Sequence, residues 1–226
     1  MASLQQVELV RRALATLSSR ARQDFLRVWS GLDPYDFAAV RKVLDTFWPE
    51  LIGHYGEMAA ALAADDFVLQ AVEIGLRGEP QMVRAVDPER ALARMRWAIG
   101  TGSQLGNLQL ILDELVKQPY RSTMQRSASA AGGAWARVPS GAETCAWCLM
   151  LASRGAVYET ARSASTSGGR LYHGDCDCTP VLAKSDADLP YDVEELFDIY
   201  SDGREAADSG STKKILAEIR AQQGTH

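Results

Sequence analysis

The four cysteines of this chain fall in two short groups, with a histidine beside the second group. Cys145 and Cys148 are separated by two residues, Cys176 and Cys178 by one, and His173 lies three positions before Cys176. Thiolate sulfur and imidazole nitrogen are the usual ligands of tetrahedral structural zinc. Two cysteines three residues apart share one face of a helix, so both sulfurs can point at one centre. The sequence therefore predicts a structural zinc site built from these residues.

Five candidate ligands compete for the four positions of a tetrahedral zinc ion. The favoured set is Cys145, Cys148, His173 and Cys176, and Cys178 is the alternative fourth ligand. The spacing of the first pair is a strong zinc signal, whereas H-x2-C-x-C is unusual for a standard zinc finger. If the segment is a strand, the two side chains of C-x-C are expected to point to opposite faces, so that one of Cys176 and Cys178 turns away from the site. The spacing leaves open which of the two it is.

The same residues allow three other interpretations. One cysteine of each group could form a disulfide, or all four could be free, packed thiols. A cysteine nucleophile could use His173, with Asp175 or Asp177 to orient the imidazole.

The first residues lack a secretory signal and no apolar stretch could span a bilayer, so we expect synthesis in a cytosol and no membrane contact. Because a cytosol keeps thiols reduced, metal binding is favoured over disulfides.

The charge distribution argues against a protein that coats nucleic acid non-specifically. The net charge is -5 and the isoelectric point is near 5.3. A basic middle segment, residues 121–170, precedes an acidic one, residues 183–208. The basic segment leaves open a weaker hypothesis, in which a zinc module binds nucleic acid through it. Four arginines of the basic segment are expected at the surface, solvated or paired with carboxylates: Arg121, Arg126, Arg137 and Arg154.

The predicted fold class is α+β, mainly α. Residues 1–120 are expected to form a helical domain, residues 121–183 a small module centred on the cysteines and histidine, and residues 184–226 an acidic helical tail. The basis is apolar periodicity of three to four residues in the first part, and short apolar runs between turn residues in the second.

Proline and tryptophan positions refine this prediction for the first domain. Asp33-Pro34 and Asp87-Pro88 each have the form of a helix cap followed by proline. Pro49 predicts a kink or a new helix, and Pro119 the end of a helix. Three tryptophans lie on apolar helical stripes and are expected in the core: Trp29, Trp48 and Trp97.

The segments around the cysteines predict a compact sequence of strands and helices. Strands are expected at 135–139, 156–159 and 178–183, and a short helix at 144–152 carries the first cysteine pair. A polar loop is expected at 163–169. Two further helices are expected in the tail, over 192–200 and 212–222.

Two stretches of the chain resemble one known protein family. Residues 137–148 read RVPSGAETCAWC, and residues 172–181 read YHGDCDCTPV. These stretches resemble the MuF-like head morphogenesis proteins, which are minor capsid proteins of tailed bacteriophages, and in particular the actinobacteriophage branch. That family has a C-x2-C near a short helix and an ending of the form H-P-x-C-x-C. Gly174 stands here where many relatives carry proline.

The resemblance implies both a site and a role. Cys145, Cys148, His173, Cys176 and Cys178 match the family's motif positions. The implied role is head assembly near the portal, with portal protein and major capsid or scaffolding protein as partners and packaged DNA as a further candidate. The implied location is the virion head interior, and the host cytoplasm during assembly. Because this branch is sometimes described as capsid maturation protease, a cysteine peptidase using the same cluster is the less favoured alternative.

Overall fold

The computed structural model describes residues 3–84, 86–101, 104–140, 144–157, 176 and 178–225. Within these residues the chain is mainly helical with one small sheet, which confirms the predicted α+β, mainly α class. The helices are α1 Leu4–Trp29, α2 Phe37–Glu73, α3 Pro88–Ile99, α4 Gln104–Ala130, α5 Ala146–Ala152, α6 Val193–Ala206 and α7 Thr212–Gln223. The strands are β1 Ala134–Val138 and β2 Thr179–Ala183, and Asp186–Asp188 forms a single 3-10 turn.

Side-chain caps fix the starts of the first helices. The Asp87 carboxylate accepts a hydrogen bond from the Arg90 amide at 2.9 Å, which confirms the predicted start of α3. The prediction of a cap at Asp33 is wrong. Its carboxylate accepts from the Tyr35 amide within a turn, and Asp36 caps α2 instead, accepting from the Ala39 amide at 3.0 Å. The prediction failed because Asp33 and Asp36 lie close together in the chain, and only Asp36 is directly followed by helical backbone.

Two prolines lie inside long helices. The predicted helix end at Pro119 is wrong, and of the two outcomes predicted at Pro49, a kink or a new helix, the new helix is not formed. α2 continues through Pro49, and α4 continues through Pro119. A proline inside a helix removes one backbone hydrogen bond and costs roughly 3 kcal/mol. α2 and α4 make the most extensive contact between any two elements, so their shared buried surface outweighs that cost. The predicted domain boundary at residues 120 and 121 falls within α4, and the division into three domains stays a prediction.

Two apolar clusters hold these elements together. The first, here called the helical core, lies among α1, α2, α3 and α4 and includes Phe25, Trp48, Met95, Leu108 and Leu112. The second, here called the joint core, connects α1, α2 and α4 to β1, α5, β2 and α7, and includes Phe67, Tyr120, Trp135, Leu149 and Ile219. The module around the cysteines is therefore packed directly against the long helices.

The predicted core position of the three helical tryptophans is correct for only one of them. Trp48 is fully buried in the helical core, and Trp29 is half-buried at its edge. Trp97 is 64% exposed. α3 is strongly amphipathic, and its buried face, which includes Met95, leaves Trp97 on the opposite side.

The two strands form an antiparallel pair beneath α5. Trp135 lies opposite Leu182, and Val138 lies opposite Thr179. These strands and α5 confirm the predicted elements, and the predicted tail helices are confirmed as α6 and α7. The strand predicted at 156–159 is not formed at Ala156 or Val157, and its last two residues and the predicted loop at 163–169 lie outside the described residues.

A buried polar network joins the helices to the sheet. The Asp66 carboxylate accepts hydrogen bonds from the Tyr120 hydroxyl at 2.6 Å, the Gln70 amide at 2.7 Å and the Gln6 amide at 2.9 Å. Gln70 also accepts a hydrogen bond from the Leu182 backbone amide at 2.8 Å. Burial raises the pKa of Asp66, and the three hydrogen bonds partly oppose that effect. The network therefore links α1, α2, α4 and β2 through one carboxylate.

α7 supplies most of the buried residues of the tail, and α6 packs against the same core through half-buried residues. Ile215, Leu216 and Ile219 of α7 are buried in the joint core, whereas Gly203 is the one buried residue of α6 among those described.

No helix in the described part of the chain is both long enough and apolar enough to cross a lipid bilayer.

Candidate metal centre

The first cysteine pair is placed by the start of a short helix. Cys145 is the N-cap of α5, and its sulfur accepts a hydrogen bond from the Cys148 backbone amide at 3.3 Å. Cys148 lies in the first turn of the same helix, so both sulfurs are at one end of α5. α5 is held in place because Leu149, Met150 and Leu151 are buried in the joint core. The local cap and the packing of the helix thus fix the first half of the site.

The second pair is placed by the start of a strand. Cys176 and Cys178 directly precede β2, whose position is fixed by pairing with β1. The sulfurs of Cys148, Cys176 and Cys178 all lie within 4.8 Å of one another. Cys178 therefore belongs to the group together with Cys176. The expectation that one of these two side chains turns away is wrong, because side chains two residues apart in an extended segment lie on the same side.

The four cysteines form one buried cluster, with Trp147 packed against it. Cys145 is beside Cys148 but outside the group of three sulfurs that are mutually close. His173 lies outside the described residues, as do Asp175 and Asp177. The structure thus brings together all four predicted cysteines and leaves the predicted role of His173 a prediction.

The sulfur spacing fits a bound metal better than a disulfide. All four cysteines are free thiols, and the Cys148 and Cys176 sulfurs are 3.3 Å apart. A disulfide bond is about 2.05 Å long. A tetrahedral ion with metal–sulfur bonds of about 2.3 Å holds its ligand sulfurs about 3.8 Å apart. Three buried thiols whose sulfurs lie within 4.8 Å of one another could bind a metal, and thiolate ligands favour zinc or another thiophilic ion.

The protein environment disfavours the charged form of the Cys148 and Cys178 thiols. Cys148 and Cys176 are each 1% exposed, Cys178 is 3% exposed and Cys145 is 7% exposed. Hydrogen bonding with Cys145, followed by that with the other two cysteines and by burial, raises the pKa of Cys148 well above its usual value. Burial raises the pKa of the Cys178 thiol, while the guanidinium group of Arg137 acts in the opposite direction. A bound cation would replace the thiol protons, because metal ligands must be deprotonated.

Two buried arginines beside the cluster were missed by the sequence reasoning. Arg121 is 2% exposed and Arg137 is fully buried, so the expectation of a surface position is wrong for both. Arg121 donates a hydrogen bond from Nη2 to the Cys176 backbone carbonyl. Arg126 and Arg154 are exposed, as expected. A signal existed for Arg137, because it lies inside the short apolar strand β1, both faces of which are covered.

Comparison with known proteins gives one family and two related phage proteins. A model of the VG15 protein family matches residues 1–203. The Gene 15 protein of Mycobacterium phage D29 is 69% identical over 29 residues, which are 13% of this chain and 10% of that protein. The Gene 15 protein of Mycobacterium phage L5 is 34% identical over 76 residues, which are 34% of this chain and 23% of that protein. The matched part of the chain thus spans less than a quarter of either relative. No solved structure matches the chain.

Proposed function

The chain belongs to the VG15 protein family, and from that premise we propose that it is a bacteriophage minor capsid protein of the MuF-like type, acting in head morphogenesis near the portal. The phage origin of its relatives supports a phage role. One structural observation carries the proposal further. The two motif segments that resemble MuF-like proteins converge on one buried cysteine cluster, as a shared structural motif requires.

The cluster has a structural role in this proposal. Cys148 and Cys176 are 28 positions apart in the chain, and their contact joins α5 to the start of β2. Zinc at this point would hold the small sheet and α5 together, with Cys148, Cys176 and Cys178 as ligands and Cys145 or His173 as the fourth. Structural zinc contributes of order 10 kcal/mol to the folding of a small module, depending on pH.

Burial argues against the alternative of a cysteine peptidase. A nucleophilic cysteine must reach a substrate and must ionise readily, which requires a partly exposed, electropositive setting. All four cysteines are buried, and the pKa values of Cys148 and Cys178 are raised. A structural use of the thiols is consistent with both facts, whereas catalysis would require the cluster to open.

The proposed partners are the portal protein and the major capsid or scaffolding protein, with packaged DNA as a further candidate. The exposed surface offers apolar contacts for such partners on α2, where Val68, Leu69 and Val72 are 46%, 60% and 75% exposed. The proposed location is the head interior near the portal, after assembly in the host cytoplasm.

Particle composition tests the assembly role. Heads are purified from a phage that carries this gene, and from the same phage with an early stop codon in it, and both are analysed by mass spectrometry and infectivity assay. We expect a few copies of the chain per wild-type head and defective heads in the mutant. Absence of the chain from heads, with normal particles and infectivity in the mutant, would refute the assembly role.

Metal content tests the cluster separately. Elemental analysis and thiol titration of the purified protein should find one zinc per chain and no disulfide. Cys148→Ser and Cys176→Ser should each lose zinc and stability together, because each removes a ligand of the same ion. If instead one of these variants kept its zinc and its fold but abolished cleavage of a head protein, the peptidase would be the correct function.

A further inference from the structure

The second half of α2 is apolar on both of its faces, although only one of them is buried. Ala59, Ala63 and Phe67 point from one face into the joint core. On the opposite face, Leu69 is 60% exposed and Val72 is 75% exposed. A helix that packs on one side is ordinarily polar on the other, and a helix that is apolar all round is ordinarily covered all round. The exposed face of α2 therefore indicates a partner that covers it.

The exposed face has the spacing by which one helix packs on another. Exposed residues follow one another in steps of three and four along it: Met58, Ala61, Asp65, Val68 and Val72. These residues, together with Leu69 beside Val68, are here called the outer stripe. Alternating steps of three and four are the a and d spacing of a heptad seam. At 1.5 Å per residue the stripe is about 21 Å long, or about four turns, so it fits a helix of similar length.

Acidic side chains accompany the outer stripe. Asp65 lies within the stripe and Glu57 lies at its edge, and both are exposed. Residues 43–76 contain no lysine or arginine. The two arginines near the start of α1, which packs against α2, are paired with Glu8 of their own helix. Because complementary charge across an interface steers association and selects the partner, the stripe favours a helix with basic residues beside its apolar face.

A second copy of this chain fits the outer stripe less well than a basic helix does. In a two-fold pair the same surface meets itself, so the acidic residues of both copies would lie in one interface. The exposed apolar area of the stripe is on the order of a few hundred Å², a size at which apolar patches are often functional. A stable interface buries about 800 Å² on each partner. The stripe is therefore small for a permanent dimer and suits one docked helix.

We infer that the outer stripe of α2 is a docking site for an amphipathic helix of another protein. The apolar face of that helix packs on Val68, Leu69 and Val72, and its lysine or arginine side chains lie near Glu57 and Asp65. The inference names a surface and the chemistry of its partner. It rests on the proposed assembly role only in taking the partner to be a head protein.

Two designed peptides test the docking site on the full chain. Each is a helix of about 18 residues with leucine at the a and d positions, flanked by lysine in one peptide and by glutamate in the other. Binding is measured by fluorescence anisotropy at low and at physiological salt. The double variant Leu69→Ser with Val72→Ser removes apolar area, and Asp65→Asn removes charge. Trp97→Ser is the matched control, because Trp97 is an exposed apolar residue on another helix.

The lysine peptide should bind at least about 10-fold more tightly than the glutamate peptide at low salt, and the difference should shrink as salt screens the charges. The double variant should weaken binding of the lysine peptide by at least about 10-fold, because two apolar contacts are lost. Asp65→Asn should weaken it about two- to fivefold, and Trp97→Ser should leave it unchanged. Exposed substitutions of this kind barely change stability, and a thermal melt of each variant checks that the fold is kept.

Three results would overturn the inference. Equal affinities of the two peptides would show that charge does not select the partner. Unchanged binding to the double variant would place the contact elsewhere. Light scattering that finds a wild-type dimer, and a monomer for the double variant, would identify a second copy as the occupant of the stripe.

Purified heads separate this inference from the proposed function. A phage that carries the double variant should have several-fold fewer copies of the chain per head than wild type, whereas Trp97→Ser should be incorporated normally. If wild-type heads contain the chain and the double variant is incorporated equally, the stripe does not dock a head protein and the inference fails alone. If wild-type heads lack the chain, the assembly role fails, and the peptide affinities still decide whether the stripe docks a basic helix.

Discussion

The hydrogen bond between Tyr120 and Asp66 is the sharpest test of how the helices are joined to the sheet. The Tyr120 hydroxyl is 2.6 Å from Asp66 Oδ2, and the tyrosine is fully buried. Tyr120→Phe removes only the hydroxyl, so no large cavity forms and the change isolates the polar interaction. Loss of one donor to a buried acceptor costs about 1–3 kcal/mol. In a protein of this size, 1 kcal/mol shifts Tm by about 2–4 °C, so we expect Tm to fall by about 2–12 °C.

Differential scanning calorimetry and urea unfolding provide the measurements, and Tyr35→Phe is the matched control. Tyr35 is 85% exposed, so this control should change the free energy of unfolding by less than about 0.5 kcal/mol. A double-mutant cycle with Asp66→Ala, which removes the acceptor, should give a coupling energy of at least about 0.5 kcal/mol, because the two side chains are in contact. A Tyr120→Phe protein as stable as wild type, or a coupling energy near zero, would refute the role assigned to the network.

Three further predictions concern pH, helix packing and metal removal. Burial raises the pKa of Asp66 in the folded state. The free energy of unfolding of wild type, relative to that of Asp66→Asn, should therefore be greatest below about pH 4 and should fall as pH rises through the folded-state pKa. If urea unfolding showed that this difference in free energy stays constant or increases with pH, the prediction would be contradicted. Gly203→Ala should lower the free energy of unfolding by about 1–2 kcal/mol, because the added Cβ would lie 2.6 Å from Ile219 Cγ1. The control Gly53→Ala has open space around the added Cβ and should raise the free energy of unfolding by about 0.5–1 kcal/mol. Equal effects of the two substitutions in thermal melts would show that α6 and α7 are not tightly packed. If free zinc is present at about 1,000 times its Kd, removing it with a chelator should lower the free energy of unfolding by about 4 kcal/mol. A Tm that does not change on addition of the chelator would argue against a structural ion.

Local signals in the sequence were sufficient for most of the elements. The periodic apolar residues located α1 and α3, and the Asp87-Pro88 pair located the start of α3, because these signals act through the backbone and side chains of a few neighbouring residues. A local signal of the same kind failed at Pro119, where a helix end was predicted and α4 continues. The penalty of a proline is local, whereas the packing that outweighs it comes from residues on another helix.

The sequence by itself determined which residues could form the candidate site, because thiols at C-x2-C and C-x-C spacings have few other uses in a reduced protein. Only the tertiary structure decided that the second cysteine pair meets Cys148, and that Arg121 and Arg137 are buried beside the cluster. The physical reason is that burial and charge environment depend on contacts between α4, β1 and the start of β2. Those contacts form only when segments that are distant in the chain pack together, so the spacing of residues along the chain does not reveal them.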